Sequence, residues 1–282
     1  MKNSLIYTLT VLGFGLAGVH ADIREDFSSY TVGHDLTTPL DGGMNWSGDW
    51  TGTVTATVSD SAELDSGGRY LSYTATGSAT TSLTRNMLTT DVDFGENHTF
   101  TFDWRPDALD SSFNNTSDRY EFYNEDLSTG ENGSFLFGIF GASRGANSTG
   151  GVFAAYDRGT DPVETFSGDR YFDLLDGSLQ PLTVVAGTTY HITVDVRPGV
   201  SEWDLFISDG ITTVFRTGMT TWGAGNSEEG FGLNLRGNTG SDTRTASLDS
   251  IAIVPEPGTM LLMGIAFCTL VLFRCRKVTF KP

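Results

Sequence analysis

The sequence predicts an all-β protein, a two-sheet sandwich, and three observations carry that expectation. Between Asp22 and Val254 no long stretch has a 3.6-residue apolar period. Short runs rich in Thr, Val, Phe and Tyr alternate in polarity instead, and Gly, Asn, Asp and Ser punctuate them. Roughly a dozen such runs, with loops between them, suit two packed sheets better than any helical layer.

In chain order the expected strands are Val54–Val58, Arg69–Tyr73, Thr80–Thr84, His98–Trp104, Arg119–Tyr123, Phe135–Phe140 and Val152–Tyr156. Thr189–Val196, Trp203–Ser208, Thr212–Thr217, Phe231–Arg236 and Ala246–Ile253 complete the set. In His98–Trp104 the apolar residues 100, 102 and 104 alternate with Thr101 and Asp103, as a half-buried strand requires. The motif recurs: Phe100–Pro106 and Ile192–Pro198 agree at Thr, Asp, Arg and Pro in the same phase. Each proline ends its strand by removing a ladder donor. Two similar strands of one sandwich explain the echo more simply than a duplication. Trp104 and Trp203 lie on strands and are expected in the core.

Both ends of the chain stand apart from this pattern. Lys2, the apolar Leu5–Leu16 and Val19-His20-Ala21, small or tolerated residues before a cut after Ala21, read as a secretory signal peptide over 1–21. At the other end Val254-Pro255-Glu256-Pro257 precedes the apolar run Met260–Phe273 and the basic Arg274-Cys275-Arg276-Lys277. As a helix those 14 apolar residues would span about 21 Å, short of a bilayer core of about 30 Å. The basic end is expected to stay cytoplasmic, with the domain 22–254 exported. This three-part tail, 255–282 with its motif at 254–257, resembles the PEP-CTERM anchor of Gram-negative bacteria. That resemblance implies recognition by an exosortase, anchoring in the inner membrane at least transiently, and a host that makes extracellular polysaccharide.

Composition narrows the partners. The exported part keeps 12 positive residues, all arginine, against 34 acidic ones, a formal charge of −22. Nucleic acid is excluded, because phosphate binding needs a basic footprint. Neutral glycans and divalent cations remain compatible. Both cysteines, Cys268 and Cys275, fall in the tail, so the domain has no disulfide, thiol nucleophile or cysteine metal site.

Further segments resemble concanavalin-A-like or laminin-G-like jelly rolls: Glu25–Gly33, Tyr190–Pro198 followed by Trp203–Gly210, and the closing Ala246–Val254. The resemblance implies glycan or surface-polymer binding more often than catalysis. Related jelly-roll glucanases carry their carboxylates as Glu-x-Asp-x-(x)-Glu on one strand. Here Glu121-Phe122-Tyr123-Asn124-Glu125 puts Glu121, Tyr123 and Glu125 on one face and lacks the central Asp. A retaining glycosidase needs its two carboxylates about 5–5.5 Å apart.

Other candidate sites follow from residue chemistry. Gly141-Ala142-Ser143-Arg144-Gly145 satisfies the G-x-S-x-G pattern of an esterase nucleophile but enters a poor helix former. Asp107, Asp110, Asn114, Asn115 and Asp118 cluster oxygens of the kind calcium takes, without EF-hand spacing; solvated loop residues are the plainer reading. The histidines are scattered singly. Trp46, Trp50 and Trp222 sit in Gly/Asn-rich loops, where an indole face can cover the apolar side of a pyranose. The expected function is a noncatalytic, envelope-anchored protein that binds glycan or matrix polymer; the alternative is a secreted glycoside hydrolase or polysaccharide lyase.

Overall fold

In the computed structural model the described residues run from 22 to 256, omitting 37–42, 45, 47, 62–63, 65–67, 88–93, 110–112, 127–130, 160–169 and 222–229. Fifteen strands form two wholly antiparallel sheets. They are β1 (Ile23–Glu25), β2 (Thr51–Gly52), β3 (Thr55–Ser59), β4 (Tyr70–Thr76), β5 (Thr81–Asn86), β6 (His98–Pro106), β7 (Arg119–Asp126) and β8 (Glu131–Phe140). Then follow β9 (Phe153–Tyr156), β10 (Tyr171–Asp173), β11 (Tyr190–Arg197), β12 (Glu202–Ser208), β13 (Thr213–Thr220), β14 (Gly230–Arg236) and β15 (Thr243–Pro255). No α-helix occurs among the described residues; one 3₁₀ turn, Pro198–Val200, follows β11.

The eight-stranded sheet has the order β13-β12-β11-β6-β15-β4-β3, with β1 also paired to β15. The seven-stranded sheet has the order β10-β9-β8-β7-β14-β5-β2. All twelve expected strands are present. The three not expected, β1, β2 and β10, are two or three residues long, too short to show alternation. The two echoing segments are neighbours: β6 and β11 pair with Phe100 opposite Val194 and Thr101 opposite Thr193. Their arginines look outward to other partners, Arg105 to Asp107 and Arg197 to Asp204.

Alternation dictates the core. Phe100, Phe102 and Trp104 of β6 meet Tyr120 and Phe122 of β7, Phe137 of β8 and Phe231 of β14 between the sheets, all buried. Phe102 packs 5.2 Å from both Phe122 and Phe231, and Trp104 lies 5.4 Å from Tyr120, centroid to centroid. These are the offset and edge-on geometries aromatic quadrupoles favour. The Trp104 indole N–H donates to the Tyr73 hydroxyl at 2.8 Å, which satisfies both buried polar atoms.

Two buried ion pairs also cross this interior. Glu25 of β1 meets Arg85 of β5, and Arg244 of β15 meets Asp118, just before β7, at 3.0 Å. All four side chains are at most 1% exposed. Burial pushes the Glu25 carboxyl above the ordinary carboxylate range, against the pull of Arg85.

Strand β15 continues beyond the expected domain end at Val254. Val254 pairs with Thr99, Pro255 pairs with His98, and the Glu256 N–H donates to the Asn97 carbonyl at 2.8 Å. Pro257 and the rest of the tail, including Met260–Phe273, lie outside the described residues. No helix among the described residues is long and apolar enough to cross a membrane.

Candidate functional site

Strands β7, β8, β9 and β14 send every other side chain into the core, so their alternate residues share the outer face of the seven-stranded sheet. On that face Tyr123, Leu136, Phe140, Ala154, Tyr156 and Tyr171 form a second apolar cluster, separate from the interior. Tyr171 meets Phe140 at 4.8 Å and Tyr156 at 5.2 Å, both edge-on. The Tyr123 ring lies over Gly232, its direct cross-strand partner: a Cβ there would sit 2.5 Å from the ring's Cζ. These aromatics are covered, none more than 6% exposed, and so offer no open stacking face.

The polar edge of the same face is different. Glu121 of β7 forms ion pairs with Arg119 at 2.7 Å on one oxygen and with Arg144 at 3.4 Å on the other. The Tyr171 hydroxyl donates to it from 3.4 Å. Loss of solvent, then the Glu121 charge, pushes the Tyr171 phenol well above its ordinary pKa. The Arg144 guanidinium also caps the aromatic cluster, 4.7 Å from the Phe140 centroid and 4.9 Å from that of Tyr171. Beyond these groups opens a recess of about 300 Å³, lined by Thr116, Ser117, Arg119, Arg144 and Arg236.

Local structure builds the recess. The Asn115–Asp118 turn closes with Asp118 N–H on the Asn115 carbonyl, and the Gly141 N–H then donates to the Asp118 carbonyl at 2.9 Å. A Cβ on Gly141 would lie 2.8 Å from the Asn114 and Asn115 backbone, so only glycine lets the β8–β9 loop approach this closely. That approach brings Arg144 opposite Thr116 and Ser117. Arg119 and Arg236 arrive from neighbouring strands, directly opposite each other in the β7–β14 register.

The structure sorts the residues singled out from sequence. Trp50 is 2% exposed, stacked on Phe27 in the core, and presents no face to a sugar. Its loop looked solvent-bound, but Arg85 lies over both Trp46 and Trp50, at 4.9 and 5.8 Å, and draws them inward. Trp46 is half-buried and donates its indole N–H to the Arg24 carbonyl at 3.0 Å. Trp222 and Asp110 lie outside the described residues, as does the side chain of Glu125.

Of the candidate calcium ligands, Asp118 is committed to Arg244 and to the Asn114 and Asn115 N–H groups. Asp107 holds Arg105 and the Ser247 hydroxyl. An arginine already supplies the positive charge at each. No group of three or more acidic, His or Cys side chains among the described residues is placed to hold a metal ion.

Ser143 donates to the Gly145 carbonyl of its own turn at 2.6 Å. His98 and His191 lie on β6 and β11 of the other sheet, and His34 pairs beside β3. Sequence reasoning missed Arg119, Arg144 and Arg236. Only strand register brings them together.

A family model described as the PEP-CTERM protein-sorting motif matches residues 254–277. The chain carries a PEP-CTERM sorting motif. It is thereby an exported, membrane-anchored protein of the cell envelope, of the kind an exosortase processes. No curated protein matches the chain.

Among solved structures the chain is similar to a sialidase, at 13% identity and TM-score 0.50, covering 84% of this chain and 19% of that one. It is also similar to the catalytic domain of the glycoside hydrolase family 131 protein from Coprinopsis cinerea, at 13% identity and TM-score 0.50, covering 82% and 93%. Lectin II from Ulex europaeus matches at 10% identity and TM-score 0.46, covering 82% and 99%. At 13% identity the likeness to the sialidase and to the family 131 catalytic domain extends to the fold, a two-sheet antiparallel sandwich, and not to an activity.

Proposed function

We propose that this PEP-CTERM protein is a noncatalytic glycan-binding protein of the cell envelope, and that it binds through the recess beside Glu121. The state of Glu121 carries the reading. Its carboxylate is spoken for by Arg119, Arg144 and Tyr171, so it acts as an anchor for two guanidiniums rather than as an acid or nucleophile. Tyr171, the nearest phenol, is fully covered with a raised pKa, which suits a hydrogen-bond donor and not a base. The remaining lining is hydroxyls and guanidinium N–H groups, the donors that sugar oxygens accept from.

A glycan array probed with the full chain in detergent, with and without calcium, tests the binding. Retention of at least one glycan class supports it, and no retention in either condition removes it. Incubation with bacterial and algal polysaccharides tests the other half. New reducing ends or unsaturated products would replace the noncatalytic reading by a hydrolase or lyase. Anchoring is read by fractionation: the full chain should follow the inner membrane, and a chain ending at Glu256 should not.

A further inference from the structure

We infer that the recess binds the carboxylate of a single acidic sugar residue, a hexuronate within an otherwise neutral glycan. The inference rests on the glycan-binding reading and names its ligand class. Arg119 and Arg236 face each other directly across β7 and β14. Like charges directly opposite each other destabilise a sheet, and an anion bound between them would relieve that repulsion. Arg119 has Glu121, but Arg236 has no carboxylate partner among the described residues, and its buried Nε has no hydrogen-bond partner.

The charge count is local and runs against composition. Arg119, Arg144 and Arg236 line the recess together, although the exported part as a whole carries a formal charge of −22. A concentration of arginine in so acidic a domain is not a by-product of its average surface.

Size and shape choose the ligand. A recess of about 300 Å³ stands at the small end of ligand sites and suits one sugar ring. Its walls are polar, lined by Thr116 and Ser117 as well as the arginines. A guanidinium fork pairs with a planar carboxylate through two parallel N–H···O bonds, and a hexuronate is the sugar that brings one. The formal charge of −22 on the exported part disfavours a long polyanion, whose many charges the domain as a whole repels. One acid per ligand is therefore the fit.

The test uses the full chain in detergent and two oligosaccharides: a neutral chain bearing one glucuronate, and the same chain carboxyl-reduced to glucose. Wild-type protein is expected to bind the glucuronate form at least tenfold more tightly. Arg236→Met is expected to lose about tenfold on the glucuronate form and no more than about two- to threefold on the reduced form, so that the preference between the two forms collapses. Equal binding of the two forms would overturn the inference while leaving glycan binding standing. Absence of both would overturn glycan binding as well, and tighter binding of a monosulfated analogue would overturn the carboxylate assignment.

Without ligand, Arg236→Met is expected to leave the melting temperature unchanged or raise it, because it removes an opposed like charge. A clear drop would mean that Arg236 serves the fold, and would overturn its role as a binding residue.

Discussion

Glu25 of β1 and Arg85 of β5 close an ion pair across the sandwich, one partner from each sheet and both out of reach of water. Arg85 is tied further to the Gly48 carbonyl at 2.9 Å and to the Tyr30 hydroxyl at 3.2 Å. Removing one partner strands a charge in the interior. Glu25→Ala is expected to cost about 3–5 kcal/mol. The pair Glu25→Leu with Arg85→Met should recover most of that loss, because no unpaired charge remains. Thermal melts of the two single variants and the double variant read the coupling.

Asp204 sets a pH dependence whose sign is fixed. Arg197 grips it with two guanidinium N–H groups, one at 2.8 Å, and the Gly218 N–H adds a third bond at 2.7 Å. Foremost the Arg197 hydrogen bonds hold its carboxyl below the ordinary value of 3.8. The stability it contributes is therefore complete above pH 3.8 and is lost as pH falls through the lower, folded value. The pair is partly exposed, so the contribution is about 1 kcal/mol, or about 2–4 °C in melting temperature. The gap between wild type and Asp204→Asn should be of that size at pH 7 and shrink below pH 3.8.

The two loop tryptophans should separate cleanly. Trp50, 2% exposed, fills core volume, and Trp50→Ala is expected to cost about 3–5 kcal/mol. Trp46 is half-buried, and Trp46→Ala should cost less than half as much. Denaturant midpoints at equal m-value give the comparison.

Gly232 and Gly138 test the outer face in different ways. A Cβ at Gly232 meets the Tyr123 ring, which can turn aside, so Gly232→Ala should cost about 1–3 kcal/mol and be largely relieved by adding Tyr123→Ala. A Cβ at Gly138 would sit 2.1 Å from the Tyr120 carbonyl oxygen, where no side chain can yield. Gly138→Ala should therefore cost more than Gly232→Ala, and Tyr123→Ala should not relieve it. Chemical denaturation of the four variants decides it.

How much of this was legible depended on the range of the interaction. Trp104 and Phe102 announced a core strand because alternation is local, and every long strand was readable in that way. Ile23–Glu25 was not, since three residues hold barely one period. The pairing of Arg119 with Arg236 depends on β7 and β14 being neighbours, and nothing in either segment names the other. Trp50 misled for a related reason. Its Gly-rich surroundings read as an exposed loop, while the partners that bury it, Phe27 and Arg85, lie elsewhere in the chain.

Strand β15 hands over to the sorting tail without a spacer. Val254 and Pro255 are already the first two residues of the matched motif while still paired to β6, and Glu256 remains bonded to Asn97. Tension entering through Pro257 therefore runs along the axis of a strand flanked by β6 on one side and by β4 and β1 on the other. Its ladder bonds resist in shear, all together, rather than peeling singly as they would on an edge strand. Force arriving from the tail thus meets a strand held on both sides before it reaches the rest of the sandwich.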